Sequence, residues 1–187
     1  MKELILNEEE LIRRCVKGDR RAQESLFNQF YQDLYLIAMR YLSDHHDAED
    51  VIIQSFARVF RSLAKFSYNG SGSLGKWVRT ILINEAIRSL KKRKLIQFNE
   101  DGQHLNTPTS EANALQQMQA SDILRMIEGL PTGYRTVFNL YVVEGYSHKE
   151  IAKMLSVSES TSKTQLKKAR HHLMNTINDQ KAYYGNA

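Results

Sequence analysis

The clearest chemistry in this chain lies in cations set at helical spacing. Lys76, Thr80, Asn84 and Arg88 are successive i+4 neighbours, and Lys91 and Lys92 continue the row. On a helix that spacing stacks side chains along one face. From Lys76 to Lys94 there are seven Lys or Arg against one Glu, a net of six positive charges. Such cations bind phosphate without regard to sequence, whereas an Asn amide both donates and accepts and can read a base edge. A charge run alone is more often a solvated face. Here it follows Phe66-Ser67-Tyr68-Asn69-Gly70-Ser71-Gly72-Ser73, a mobile polar loop with aromatics at one end. Loop, aromatics and basic helix together suit capture of unstacked bases from a single strand.

A second constellation lies near the C-terminal end. Ser147-His148-Lys149-Glu150 has the spacing of a capping box, and the helix it starts has Ile151, Ala152 and Leu155 on its buried face. Ser156-Val157-Ser158 then breaks the chain, with Val157 placed to plug the core and Ser158 to cap the next helix. That helix has Leu166, Ala169 and Leu173 on one side and Lys163, Thr164, Lys167, Lys168 and His171 mainly on the other. Cap, plug, second cap and a one-sided basic cluster form the pattern of a helix-turn-helix, whose second helix enters the major groove of DNA. An ordinary helical hairpin with a solvated basic face is the competing reading. Lys163 is expected to read a base and Lys168 to bind chiefly phosphate.

A third face carries Asp47, Asp50, Gln54 and Arg58, with Arg61, opposite Ile52, Phe56, Val59 and Leu63. It is too polar for a core and is either solvated or reserved for a partner. His46 and Asp50 are i, i+4, but no further ligand set accompanies them, so no metal is expected. The chain contains no phosphate-binding Gly loop, nucleophile elbow or paired-carboxylate motif. No cofactor and no enzymatic activity are expected.

Helices must position these residues. Only two prolines and nine glycines interrupt 187 residues, and alternating Val/Ile runs are scarce, so the fold class is all-α. Four apolar stripes occupy the first half: Leu11, Ile12, Cys15 and Val16; Leu26, Phe27, Phe30, Leu34, Ile37, Ala38, Tyr41 and Leu42; Val51, Ile52, Phe56, Val59, Phe60 and Leu63; and Trp77, Val78, Ile81, Leu82, Ala86, Ile87 and Leu90. They predict one compact helical domain over 1–95. Residues 96–114 are polar and read as a flexible linker, 115–178 as a second small helical domain, and 179–187 as a frayed tail. Leu130-Pro131-Thr132 opens a helix through Val137, Phe138, Leu140 and Tyr141 that Gly145 stops, and that should support the helix-turn-helix from below. Lys and Arg (26) exceed Asp and Glu (21), giving a net charge of +5 that favours an anionic partner. The lone Cys15 excludes an internal disulfide framework, and neither a signal pattern nor a membrane-length apolar run is present. A cytoplasmic protein without membrane insertion is expected.

The order of motifs resembles a known family. Asp47-Ala48-Glu49-Asp50-Val51, then Phe56 and Val59-Phe60, then Gly72-Ser73 ahead of Trp77 and Asn84, is similar to the second conserved region of bacterial sigma factors of the extracytoplasmic-function group. Leu130-Pro131 through Gly145-Tyr146-Ser147-His148-Lys149-Glu150-Ile151-Ala152, then Thr161 to Leu166 and Lys168-Ala169-Arg170, resembles their fourth region. Ile53-Gln54 stands where the family usually has Gln-Glu, Ser160 where Gly is common, and Ser162 where a buried Val is common. The Ser162 hydroxyl is expected to bond back to a carbonyl one turn earlier. The resemblance implies binding to core RNA polymerase and to promoter DNA, both duplex and melted, with an anti-sigma factor as a further partner. It implies that Asp47, Asp50, Gln54 and Arg58 face the polymerase. The row from Lys76 to Lys92 would melt and read the minus-ten element, and Ser158, Lys163, Thr164, Lys167, Lys168 and His171 would face the minus-thirty-five element. A stand-alone two-domain helix-turn-helix regulator is the alternative, and would bind duplex DNA tightly without polymerase.

Overall fold

A computed structural model describes residues 7–93 and 120–185, with side chains between 122 and 178 in the second stretch. The described residues are helical throughout, joined by turns and short loops, with no strand among them. The chain divides into two compact units, Met1–Ser89 and Leu90–Ala187. The expected linker at 96–114, and both boundaries drawn around it, lie outside the described residues. No helix among the described residues is long and apolar enough to cross a membrane.

In the first unit α1 spans Glu8–Val16, α2 Arg20–Leu42 and α3 His45–Ser62, followed by a 3-10 turn at Leu63–Lys65; α4 spans Ser73–Lys92. Each break has a local cause. Asn7 caps α1, and Gly18 turns the chain at φ +79°. Asp19 then caps α2 by accepting from the amides of Arg21 and Ala22 at 3.0 and 3.3 Å. The Arg14 guanidinium, 2.8 Å from the same carboxylate, is the main cause that lowers the Asp19 pKa. Ser43 ends α2 in the left-handed conformation, and Asp44 starts α3 by accepting from the Asp47 amide at 2.9 Å.

The helices α1 and α3 pack on α2. Leu26, Leu34, Ile37, Ala38 and Tyr41 of α2 meet a core to which α3 adds Val51, Ile52, Phe56 and Val59. Ser55 is also fully buried there, its hydroxyl donating to the Val51 carbonyl at 2.6 Å, which satisfies it within its own helix. The stripes differ in detail from the expected ones. Val16 is 47% exposed and lies outside the core. On α4 the buried set is Leu74, Val78, Leu82, Ile83, Ala86, Ile87 and Leu90, with Trp77 and Ile81 only half-buried. Five of the seven residues expected on the α4 stripe are thus buried, and Trp77 packs on Phe66 of the preceding loop, ring centroids 4.8 Å apart.

In the second unit α5 spans Ala120–Glu128 and α6 spans Thr132–Phe138, which continues as one π turn at Asn139–Val143. The turn closes with Glu144 N–H donating to the Asn139 carbonyl at 3.0 Å, and Gly145 at φ +78° ends it. Helix α7 spans His148–Leu155 and α8 spans Glu159–Gly185. The tail at 179–187, expected to fray, continues α8 in helical conformation as far as Gly185. Helix α8 packs on α6 and α7, and more lightly on α5. Arg135 of α6 is buried, and Nη1 donates to the carbonyls of Glu128 and Leu130 at 2.6 and 3.3 Å. It satisfies the carbonyl end of α5 across the Pro131 turn. Burial pulls its pKa down to about 10, with the Glu128 carboxylate acting in the opposite direction.

Leu82 is fully buried and Lys76 is exposed on the other side of the same helix. Leu82→Ala should destabilise the protein by about 2–5 kcal/mol, and Lys76→Ala by less than about 0.5 kcal/mol. Urea unfolding followed by circular dichroism measures both; equal losses would contradict the orientation of α4.

Candidate nucleic-acid interface

Helix α4 carries Lys76, Thr80, Asn84 and Arg88 as an exposed row, with Lys91 and Lys92 exposed in its last turn. The Thr80 hydroxyl donates to the Lys76 carbonyl at 2.9 Å, and Asn84 is the uncharged amide of the row. Arg79 is exposed beside it. Behind the row the helix is apolar except at Glu85, only 5% exposed. Glu85 was not singled out from the sequence. Arg58 Nε of α3 lies 2.9 Å from Glu85 Oε1, and Arg88 Nη1 is 3.2 Å from both carboxylate oxygens. Residues assigned to two different faces thus meet on one carboxylate. Its signal was present as a lone acid in a strongly basic helix.

The loop before α4 is fastened at several points. Phe66 rests on Trp77, and the Ser73 hydroxyl accepts from the Asn69 amide at 3.2 Å. The Gly72 amide donates to Glu8 Oε2 of α1 at 3.1 Å. Tyr68 also bonds Glu8, and its hydroxyl pKa is raised, first by desolvation and then by the charges of Glu8 and Glu9. Gly75 lies against Phe30, where an added Cβ would come within 3.2 Å of the ring. Expected as mobile, the loop has contacts to α1 and α4, while Gly75 in the first turn of α4 rests on α2. Glu8 lies 64 residues away in sequence, and no local pattern marked it.

On α3, Asp50 and Gln54 are exposed and Asp47 is half-buried near the start of the helix. Ile53, one of the departures from the family pattern, is 63% exposed on the same side. Arg58 is set apart from this group by its tie to Glu85. Among the described residues no group of three or more His, Cys, Asp or Glu side chains could hold a metal ion.

In the second unit the capping box forms as read. Glu150 Oε2 accepts from the Ser147 amide at 2.8 Å, and the Glu150 amide donates to Ser147 Oγ at 3.3 Å. The hydrogen bonds from Ser147 lower the Glu150 pKa. Ser156 turns the chain in the left-handed conformation, Val157 is half-buried, and Ser158 Oγ accepts from the Thr161 amide at 2.9 Å. The Ser158 hydroxyl is therefore committed to the helix end. Lys163, Thr164, Lys167 and His171 are exposed on α8 and Lys168 is half-buried, while Ser162, Gln165, Leu166 and Ala169 are buried. Leu173, expected in the seam, is half-buried.

Ser162 does not bond back along its helix. Its hydroxyl pairs with His148 Nδ1 of α7 at 2.9 Å, and the His148 ring stacks on Tyr141 with centroids 4.4 Å apart. A small polar side chain leaves room for the imidazole where a branched apolar one would fill the space. Desolvation, followed by the charge of Lys163, lowers the His148 pKa below its usual 6.5; Arg170 adds to this and Glu159 opposes it. Tyr141, His148, Leu166 and Met174 line a shallow groove whose rim carries Lys163, Lys167, Arg170 and His171.

A helix-turn-helix with a basic second helix, and a separate helical unit with a basic row beside an aromatic loop, define a two-unit helical DNA-binding protein. The family model for sigma-70 region 2 matches residues 26–96, and that for sigma-70 region 4 matches residues 120–173. The chain belongs to the sigma-70 family of RNA polymerase sigma factors, in the extracytoplasmic-function group. It is 26% identical to the ECF RNA polymerase sigma-E factor of Haemophilus influenzae, over 92% of this chain and 96% of the relative. It is likewise 26% identical to the ECF sigma factor SigW of Bacillus subtilis, over 90% and 95%. A solved structure of CnrH in complex with the cytosolic domain of CnrY matches 92% of this chain and 97% of its own at 18% identity and a TM-score of 0.48.

Because the folded His148 pKa lies below the unfolded one, its contribution to stability is complete above pH 6.5 and falls as pH drops through that value. His148→Gln should shrink the difference in melting temperature between about pH 7.5 and about pH 5.5. Thermal melts of both proteins at both pH values measure it; an unchanged difference would show that His148 does not contribute.

Proposed function

We propose that this sigma factor binds core RNA polymerase through the α3 face of Asp47, Asp50, Gln54 and Arg58, and directs the enzyme to promoters through two separate DNA contacts. The first-half domain, 1–95, melts and reads the minus-ten element. The second, 115–178, reads the minus-thirty-five element, with 96–114 as the tether between them. The observation that carries this reading is the exposed row of Lys76, Thr80, Asn84 and Arg88 on α4 beside a loop with aromatic residues. Phosphates of a melted strand would lie along the cations, and an extruded base would meet the Asn84 amide. On α8, Lys163 and Thr164 sit in the first two turns, where docked helix-turn-helix proteins reach base edges, and Lys167, Lys168 and His171 follow toward phosphate. Family membership supports an anti-sigma factor as regulator and the cytoplasm as the place of action.

Run-off transcription with purified core polymerase and genomic fragments tests the function. Discrete transcripts that require this chain are expected; tight duplex binding without polymerase, and no transcripts, would favour a stand-alone regulator. Asn84→Ala should weaken permanganate reactivity of the melted region and relax base preference by about 1–3 kcal/mol at one position. Unchanged footprints and preferences would remove Asn84 from the reading role.

A further inference from the structure

Arg88, a cation of the basic row on α4, is not simply displayed. Arg88 is largely exposed, its side chain at 59%, yet Nη1 is fixed 3.2 Å from both oxygens of Glu85. A Glu and an Arg three residues apart on an open helix surface form a weak, readily exchanged pair. This pair differs in two respects. Glu85 is 5% exposed, and α3 supplies a second guanidinium, Arg58, with Nε 2.9 Å from Glu85 Oε1. A buried carboxylate needs such partners, and losing them leaves an uncompensated charge.

We propose that Glu85 is a positioning residue for the melted DNA strand, holding the Arg88 guanidinium against α4, with Arg58 bracing the carboxylate from α3. This rests on the assignment of the α4 row to single-stranded DNA made above. Arg88 gives one nitrogen to Glu85 and keeps the rest of its planar fork for a phosphate. The trio retains one net positive charge, so the arginine is oriented without the site being neutralised. A guanidinium already held in place loses less freedom when phosphate arrives than one swinging on a long side chain. Arg58, its side chain 40% exposed, takes part in this brace from its place on the α3 face.

Charge and positioning make opposite predictions for Glu85→Gln. The substitution adds one positive charge beside the DNA, so simple electrostatics calls for tighter binding with a steeper salt dependence. Positioning calls for weaker binding. Holoenzyme reconstituted from core polymerase and each full-length variant is titrated with a fluorescein-labelled fork-junction DNA, taken from the strongest promoter in the run-off assay. Glu85→Gln should weaken binding roughly 5- to 20-fold and should add nothing on an Arg88→Ala background, as expected of two residues acting through one contact. Arg88→Lys keeps the charge but cannot hold carboxylate and phosphate as a fork, so it should lose a similar factor. Because Arg88 is exposed, this variant gives an answer even if Glu85→Gln fails to fold, which thermal melts report. Equal or tighter binding by folded Glu85→Gln, additive losses with Arg88→Ala, or wild-type binding by Arg88→Lys would each overturn the proposal. If wild-type holoenzyme binds the probe no better than core alone, the DNA assignment itself fails.

Discussion

The cations of α4 and α8 cannot leave water without large cost, and this constraint shapes everything around them. Lys76, Arg79, Arg88, Lys163, Lys167 and Arg170 are all exposed, so each helix can be held by one side only. A helix anchored by a single seam needs that seam to be continuous. Leu74, Val78, Leu82, Ala86 and Leu90 supply it on α4, and Leu166 with Ala169 on α8. The other helices carry the matching apolar faces.

Apolar seams set contact but allow rotation and sliding, and a few buried polar groups remove that freedom. Glu85 ties α3 to α4 through Arg58, His148 ties α7 to α8 through Ser162, and Arg135 ties α6 to the end of α5. Each bond has a narrow range of acceptable geometry, unlike a methyl contact. Such groups add little net stability, because desolvation offsets much of what pairing returns. Their effect is to fix register. In the helix-turn-helix that register decides which turn of α8 faces outward, and so which lysines are exposed.

The loop before α4 follows the same logic on a smaller scale. Its glycines at Gly70 and Gly72 take positive φ, which bends the chain sharply, and contacts to Glu8 and Trp77 hold the loop. A loop held at both ends has less conformational freedom than one without such contacts. The half-buried Trp77 meets Phe66 of this loop at the edge of the α4 seam.

What residue order alone determined was local or periodic. Helix starts at Ser147 and Ser158 were readable because a cap and its partner lie within three residues. The four helical stripes, the basic row on α4 and the ordered pair of family motifs were readable because spacing at 3.6 residues per turn is written along the chain. What required the tertiary structure was every contact between distant segments. Glu85 looked like an acid diluted among lysines, and only packing of α3 against it revealed a buried brace. Glu8 reaches a loop 64 residues on, and Ser162 finds His148 instead of its own backbone. The π turn at Asn139–Val143 and the helical run of α8 to Gly185 likewise have no local signature. Sequence spacing states which side chains share a face; which neighbour meets that face depends on the crossing of helices, and that is set by the whole core at once.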